Sequence, residues 1–444
     1  MTLEDLILIS VDDHVVEPPE MFEGRLPASL ADRAPKLVTK DDGSDQWVYE
    51  GKDIPNVGLN AVAGRPPAEY GVEPTSFAEI REGAYLVDRR IDDMNANGVL
   101  ASMNFPSFPQ FCGQMFNNSE DKELGLAVLQ AYNDWHIEDW AGAHPGRFIP
   151  IGLIPYWDPQ LMAAEVRRLA ERGCHAITWS ENPEKLGVPS FHNPHWDPFW
   201  QACEETGTAV CIHIGSSSQV AITSMEAPIT TMLNLTAVGI FQTAADLLWS
   251  PVLTRFPKVQ FVLSEGGTGW VPYFLERADY VYRHHRVWTG VDFGDQLPSD
   301  VFRQRFATCF IDDDHGLANR HQVGLSGMCW EADYPHSDST WPTSPEQLWA
   351  SLERNQVPED EIRAITHENA ARIFSFDPFE HRPREACTVG ALRALAAGAG
   401  VDTSIQPRFQ RHEPPTEPLT LLSMLDRASH PLLDEQKAAI AAEG

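Results

Sequence analysis

The chain has 444 residues, 43% hydrophobic and 22% charged, with 13 Trp and 21 Phe. That composition fits one large α/β barrel or two ordinary domains and excludes disorder over the main body. Asp and Glu total 64 against 33 Lys and Arg, a formal charge of -31, which argues against nucleic acid or an anionic membrane as partner.

MTLEDLILISVDDH lacks a basic region, apolar run and small-residue cleavage site, and no apolar segment approaches about 20 residues, so a cytoplasmic enzyme is the expectation. Within it, LILISVDDH (6–14) reads as an apolar, β-branched strand ending in polar groups, and EPPEMF as a loop leaving it. Residues 32–75, rich in Pro, Gly and Asp around QWVYEG, form an expected excursion over the barrel mouth with material for a hairpin.

DRRIDDMNANG (88–98) predicts a helix closed by Gly98, and VLASMNFP (99–106) the next buried strand. The unit then repeats. A long helix with apolar residues three and four apart precedes RFIPIGLIPYWDP, LMAAEVRRLAERGC precedes HAITWSENP, WDPFWQACEETG precedes TAVCIHIG, and LLWSPVLTRFP precedes KVQFVLSEGG. FATCFIDDD (306–314) and GLSGMCWEADYPH (324–336) complete the series.

Strand and helix alternate about eight times before ENAARIFSF, which favours one barrel over a doubly wound sheet. GGTG after Glu265 has neither the GxGxxG spacing nor the acidic partner of a dinucleotide site. The expected fold is therefore a single distorted TIM-like (β/α)8 barrel over 1–377, with the N-terminal insertion. Residues 378–444, Ala- and Leu-rich with Gly and Pro breaks, follow as a helical extension that wraps the barrel or a partner subunit. Seven Cys without CxxC spacing read as free, buried thiols.

In such a barrel the carboxyl ends of all strands share one face. Asp12, His14, Glu181, His213, Glu265 and Asp333 all fall at predicted strand ends, where ionisable groups are costly to bury without a metal or partner. Asp12 and His14, two apart, share a side of a regular strand, and Asp13 points the other way. Simpler roles exist for several of these groups: Glu265 has Arg277 as a potential ion-pair partner, Glu181 can accept backbone N–H groups at its loop start, and Asp333 can cap its turn. His336, three beyond Asp333, is a candidate for touching substrate or buttressing the site. His315 and the pair His192 and His195 lie near the mouth, His284 and His285 suit subunit contacts, and His367 suits docking of the terminal helix. Trp157, Trp196, Trp330 and Trp341 read first as packing and second as pocket walls.

The DxH of Asp12 and His14, His213 at the fifth strand, SEGGTGWVPY at the sixth and ADYPHSDSTWP at the eighth together resemble the metal-dependent amidohydrolase superfamily. Within it, the chain is most similar to the branch containing aminocarboxymuconate-semialdehyde decarboxylase and related bacterial hydrolases. The resemblance spans residues 6–377. It implies that Asp12 and His14 form the first-strand metal pair, that His213 is the fifth-strand ligand, and that Asp333 binds metal or moves a proton.

Two departures stand out. Much of the superfamily has HxH where this chain has Asp12-Asp13-His14, and His where it has Glu265. Carboxylates remain competent ligands for zinc, iron(II) or manganese(II). Glu181 lies where binuclear members place a bridging acid, which implies one or two divalent ions, preferably two bridged by Glu181.

The first chemical expectation is hydrolysis of a small-molecule amide, ester, lactone or acyl thioester, because a divalent ion lowers the pKa of the water it binds and Asp333 can take the proton. The competing expectation is nonoxidative decarboxylation of an aromatic or unsaturated acid, with Asp333 or His336 as proton donor at a mononuclear site. A noncatalytic metabolite-binding barrel is the third. The partners expected are a small-molecule substrate and a second copy of the chain, since MLNLTAVGIFQTAADLLW carries enough apolar surface for a pocket helix or a homodimer interface.

Overall fold

The computed structural model describes residues 1–408 and 416–423. β1 (Ile9–Val15) is followed by a separate antiparallel sheet of β2 (Lys36–Thr39), β3 (Asp45–Tyr49) and β4 (Lys52–Ile54). Then come β5 (Ala101–Pro106), β6 (Phe148–Ile149), β7 (Ala176–Trp179), β8 (Ala209–His213), β9 (Phe261–Ser264), β10 (Phe306–Phe310) and β11 (Met328–Trp330). Apart from β2–β4, all are parallel, in two sheets ordered β1-β5-β6 and β11-β10-β9-β8-β7.

Hydrogen bonds join the two sheets at both seams. Gly152 donates to the Ala176 carbonyl and accepts from the Thr178 N–H, each at 3.0 Å. At the other seam the Asp333 N–H donates to the Asp12 carbonyl at 2.8 Å, and the His14 N–H to the Tyr334 carbonyl at 2.7 Å. Eight parallel strands thus close into a distorted TIM-like barrel. The third strand is its weakest part: Pro150 and Pro155 have no N–H for the ladder, leaving a two-residue β6 and a single bridge at Gly152. A Cβ on Gly152 would lie 2.4 Å from Leu169, so this seam requires glycine.

Alternate residues of the strands, including Ile9, Val11, Ala101, Met103, Phe105, Ala209, Cys211, Ala307 and Cys309, form one buried cluster that fills the barrel. Their partners in the alternation pack outward against the helices in two larger clusters. Strands buried on both faces explain the unbroken apolar runs in the sequence. All seven cysteines are free and buried.

The β1–β5 pairing slips between Ser10 and Asp13: Ile9 pairs with Ala101, whereas His14 pairs with Phe105. One extra residue on β1 is a bulge, and it reverses the alternation. Without it, Asp13 would follow Ile9 and Val11 into the barrel. With it, Asp12 and His14 take the inner side.

The 32–75 excursion holds a three-stranded sheet rather than a lone hairpin. Farther along, Val62 and Ala63 donate to the Pro335 carbonyl at 2.9 and 3.0 Å, which ties this segment to the loop after β11. In the C-terminal extension a helix, Val389–Ala399, packs against the helix Val87–Asn97. Residues 409–415 and 424–444, part of the extension expected to be helical, lie outside the described residues. Among the described residues no helix is long and apolar enough to cross a membrane.

Candidate metal centre

Four side chains from β1, β8 and the loop after β11 meet at the carboxyl-terminal rim of the barrel. Asp12, His14, His213 and Asp333 are each completely buried. His14 Nε2 lies 3.5 Å from Asp12 Oδ1, 3.3 Å from Asp333 Oδ1 and 3.3 Å from His213 Nε2. His213 Nε2 lies 3.5 Å from Asp12 Oδ2 and 3.1 Å from Glu265 Oε2. His336 Nδ1 is 2.9 Å from Asp333 Oδ1, and its ring stacks on His14 with centroids 3.7 Å apart.

These donors form two overlapping sets, each with its ligand atoms within 4.8 Å of one another: Asp12, His14 and His213, and His14, Glu265, Asp333 and His336. The carboxylate oxygens of Asp12 and Asp333 make no well-aligned hydrogen bond among the described residues, and their near neighbours are the ring nitrogens of His14, His213 and His336. Buried carboxylates crowded against imidazoles gain most from a cation held between them. A nitrogen and oxygen donor set of this density fits a divalent zinc, iron or manganese ion; Asp12, His14 and His213 would hold it, with Asp333 beside them.

Glu265 sits immediately beyond β9 and Asp333 three residues beyond β11, both with left-handed backbones, φ 57° and 52°. Residues other than glycine rarely occupy that region, and such strain concentrates at functional sites. The side chain of Glu265 is 15% exposed, which makes it the ligand-set member nearest to solvent.

Electrostatics divide the cluster. Burial pushes Asp333 well above the usual carboxylate range, with Glu265 and Asp12 adding to the shift. Burial also raises Asp12 to about 6, against the pull of His213. On His213 burial opposes protonation, but Asp12 and Glu265 override it and hold the imidazolium well above its ordinary value. Burial opposes ionisation of Glu265 too, yet His213 keeps its pKa low. His14 and His336 are driven down mainly by burial, His336 to about 4.

Glu181 joins neither donor set. Ser217 donates its hydroxyl to Glu181 Oε1 at 2.6 Å. The residue instead lines a cavity of about 220 Å³ together with Leu59, Phe111, Val220, Glu265 and His336. The expected bridging position is thus a wall position, because the loop after β7 turns the carboxylate toward Ser217 and Gly239.

Arg277 lies over Tyr280 at 5.0 Å and forms no ion pair with Glu265. His192 bonds Asp246 at 2.6 Å, and His195, His284 and His315 are exposed away from the cluster. His367 takes a hydrogen bond from Arg384, in the segment after the barrel, at 2.6 Å. None of the four highlighted Trp residues lines the cavity. The aromatic wall is Phe111, whose ring stacks on His213 at 4.1 Å.

Glu331 escaped the sequence expectation. It is 1% exposed, receives the Glu265 N–H at 3.3 Å, and is held well above the usual carboxylate range by burial and by Asp12. Its spacing of two from Asp333 was the available signal.

Residues 86–376 match the family model described as amidohydrolase. The chain belongs to that family. The amidohydrolase superfamily comprises enzymes that bind divalent metals, and the donor set described above suits that chemistry. This amidohydrolase has no match among curated protein sequences. Among solved structures it resembles an amidohydrolase from Mycobacterium avium subsp. paratuberculosis, 20% identical over 83% of this chain and 99% of that one, with a TM-score of 0.62. It also resembles 5-carboxyvanillate decarboxylase from Sphingomonas paucimobilis, 23% identical over 84% and 100%, TM-score 0.56. The 5-carboxyvanillate decarboxylase from Novosphingobium aromaticivorans, complexed with manganese and 4-hydroxy-3-methoxy-5-nitrobenzoic acid, is 17% identical over 84% and 99%, TM-score 0.56. These likenesses establish a common fold.

Proposed function

We propose that this amidohydrolase is a metal-dependent, nonoxidative decarboxylase of an aromatic or unsaturated carboxylic acid. The observation that carries the proposal is the placement of Glu181 on the cavity wall, outside the donor sets, which leaves one compact site in place of a carboxylate-bridged pair. The decarboxylases of similar fold, one of them complexed with manganese, support the same choice.

Asp12, His14 and His213 would hold the ion, with Asp333 beside them. When bound, it supplies positive charge that the substrate carboxylate and an adjacent oxygen can chelate. Asp333, buried beside the cluster, carries the proton that the reaction consumes. It delivers that proton to the carbon bearing the carboxylate. The bond between that carbon and the carboxyl group breaks, carbon dioxide leaves, and hydrogen takes its place. His336 lines the cavity with Nδ1 2.9 Å from Asp333 Oδ1, and could relay a proton to Asp333 by passing one on from Nδ1 as Nε2 takes one up from water. Phe111 and Ile214 give the cavity beside the cluster an apolar wall.

Hydrolysis would instead need Asp333 ionised so that it can accept a proton from water. The deciding experiment offers the manganese-loaded protein 5-carboxyvanillate, 2,6-dihydroxybenzoate and a panel of lactones, esters and amides. Carbon dioxide release from an acid is expected. Turnover confined to the lactones, esters or amides would return the protein to the hydrolases.

A further inference from the structure

The cavity bordered by Glu265 and His336 has a second acidic feature in its wall, and the metal cluster makes no use of it. Glu181 is 4% exposed. Its backbone is fixed at both ends, since its N–H donates to Ser216 Oγ at 2.8 Å and its carbonyl accepts from Thr243 Oγ1 at 2.7 Å. Ser217 fixes one carboxylate oxygen through its hydroxyl at 2.6 Å. The other oxygen, Oε2, has no hydrogen-bond partner among the described residues.

Gly239, also in the cavity wall, makes room for that oxygen: a Cβ there would lie 2.5 Å from Glu181 Oε2. The rest of the lining mixes the apolar Leu59, Phe111, Ile214, Val220 and Ala221 with the polar Asn60, Gln219 and Thr236. The Asn60 amide donates to Ser337 and the Thr236 hydroxyl to the Leu233 carbonyl, and no described side chain donates to Oε2. A buried, immobilised carboxylate oxygen in a cavity wall gains its missing hydrogen bond when the occupant brings a donor.

The geometry points to Glu181 as the specificity-determining residue for the substrate body: it accepts a hydrogen bond from an O–H or N–H group on the acid that enters this cavity. The inference rests on the proposed decarboxylase reading only in placing the acid group of the ligand at the metal cluster. It narrows the substrate class to carboxylic acids with an apolar frame and a hydroxyl or amino substituent. Acids bearing only acceptors, such as methoxy groups, gain nothing from Glu181.

Calorimetric titration of the manganese-loaded full chain tests this with benzoate, the three hydroxybenzoates, the three aminobenzoates and the methoxybenzoates. At least one hydroxy or amino isomer is expected to bind roughly 10- to 100-fold tighter than benzoate, the range for a hydrogen bond to a charged group, and no methoxy isomer should do so. In Glu181→Leu that advantage, taken as the ratio to benzoate measured in the same variant, disappears; Glu181→Gln, whose amide oxygen still accepts, retains part of it. Gly239→Ala, which displaces Oε2 without removing the carboxylate, gives the same loss by an independent route.

Equal affinity for benzoate and every donor-bearing isomer overturns the inference, as does an advantage that survives Glu181→Leu. A second manganese per chain that is lost in Glu181→Gln also overturns it, by assigning the carboxylate to metal. A preference that follows Glu181 without carbon dioxide release from any acid would uphold the inference and sink decarboxylation, so the two failures are distinguishable.

Discussion

The backbone N–H of Asp333 donates to the carbonyl of Asp12 at 2.8 Å, so the bond that closes the barrel also sets the spacing of two carboxylates in the cluster. Site geometry and barrel closure are therefore one structural problem. A substitution that loosens the β11–β1 seam should weaken metal affinity even when every ligand is retained.

Removal of a ligand should uncouple metal from stability. Manganese at about 100 times its dissociation constant is expected to stabilise the wild-type fold by about 2.7 kcal/mol, because it binds the folded state alone. Asp12→Ala should abolish that gain and the bound manganese together. Thermal melts with and without metal, alongside elemental analysis, check both.

Asp333→Asn keeps the shape of the side chain but holds no transferable proton. The turnover number for decarboxylation should fall by about 10²- to 10⁴-fold, the usual worth of a positioned acid. Steady-state kinetics combined with calorimetry of a substrate analogue will show whether binding survives. A fall of less than threefold would remove Asp333 from the proton-transfer step.

Arg90 is fully buried, donates to the Gly83 carbonyl at 2.6 Å and to the carbonyl of His14, and stacks on Tyr334 at 4.5 Å. Its charge also opposes the burial that raises the pKa of Asp13 to about 7. Arg90→Met strands Asp13 and the His14 carbonyl together and should cost about 3–5 kcal/mol in urea unfolding. Because the His14 backbone is tethered by this residue, any folded fraction should also bind manganese more weakly.

His136 predicts an acid-sensitive limb of the stability curve. Both ring nitrogens are buried without partners among the described residues, and burial lowers the pKa to about 3 from the ordinary 6.5. The unfolded chain therefore binds the proton first as pH falls, so stability drops between 6.5 and about 3 and levels off below. The full effect is on the order of 4 kcal/mol. His136→Phe should flatten this part of the profile when denaturation midpoints are compared from pH 7 to pH 4.

Strand order and the polar strand ends were legible because parallel strands carry unbroken apolar runs that stop abruptly at Asp12, His213 and Asp333. The bulge in β1 was not. Strict alternation from Ile9 and Val11 would carry Asp13 inward, and only the slipped register with β5 shows why Asp12 and His14 face the cluster. The orientation of Glu181 depends on Ser217 and Gly239, distant in sequence, so family position suggested a bridging ligand where tertiary packing provides a wall. Phe111 was hidden in a Pro-rich loop with no period to mark it, and the abundant Trp residues drew attention to packing positions instead. Glu331 shares the parity of Asp333 and could have been found by extending the alternation past Trp330.

The positive φ angles at Glu265 and Asp333 restrict how the rim can diversify. Asn, Asp and His tolerate that backbone better than other side chains, whereas a β-branched residue is a severe outlier there. The tolerated set overlaps the common metal-binding residues, so histidine could succeed Glu265 without rebuilding its loop. Valine or isoleucine would disturb the chain before any question of chemistry arose. Evolution along this edge can exchange one donor for another more readily than it can discard coordination altogether.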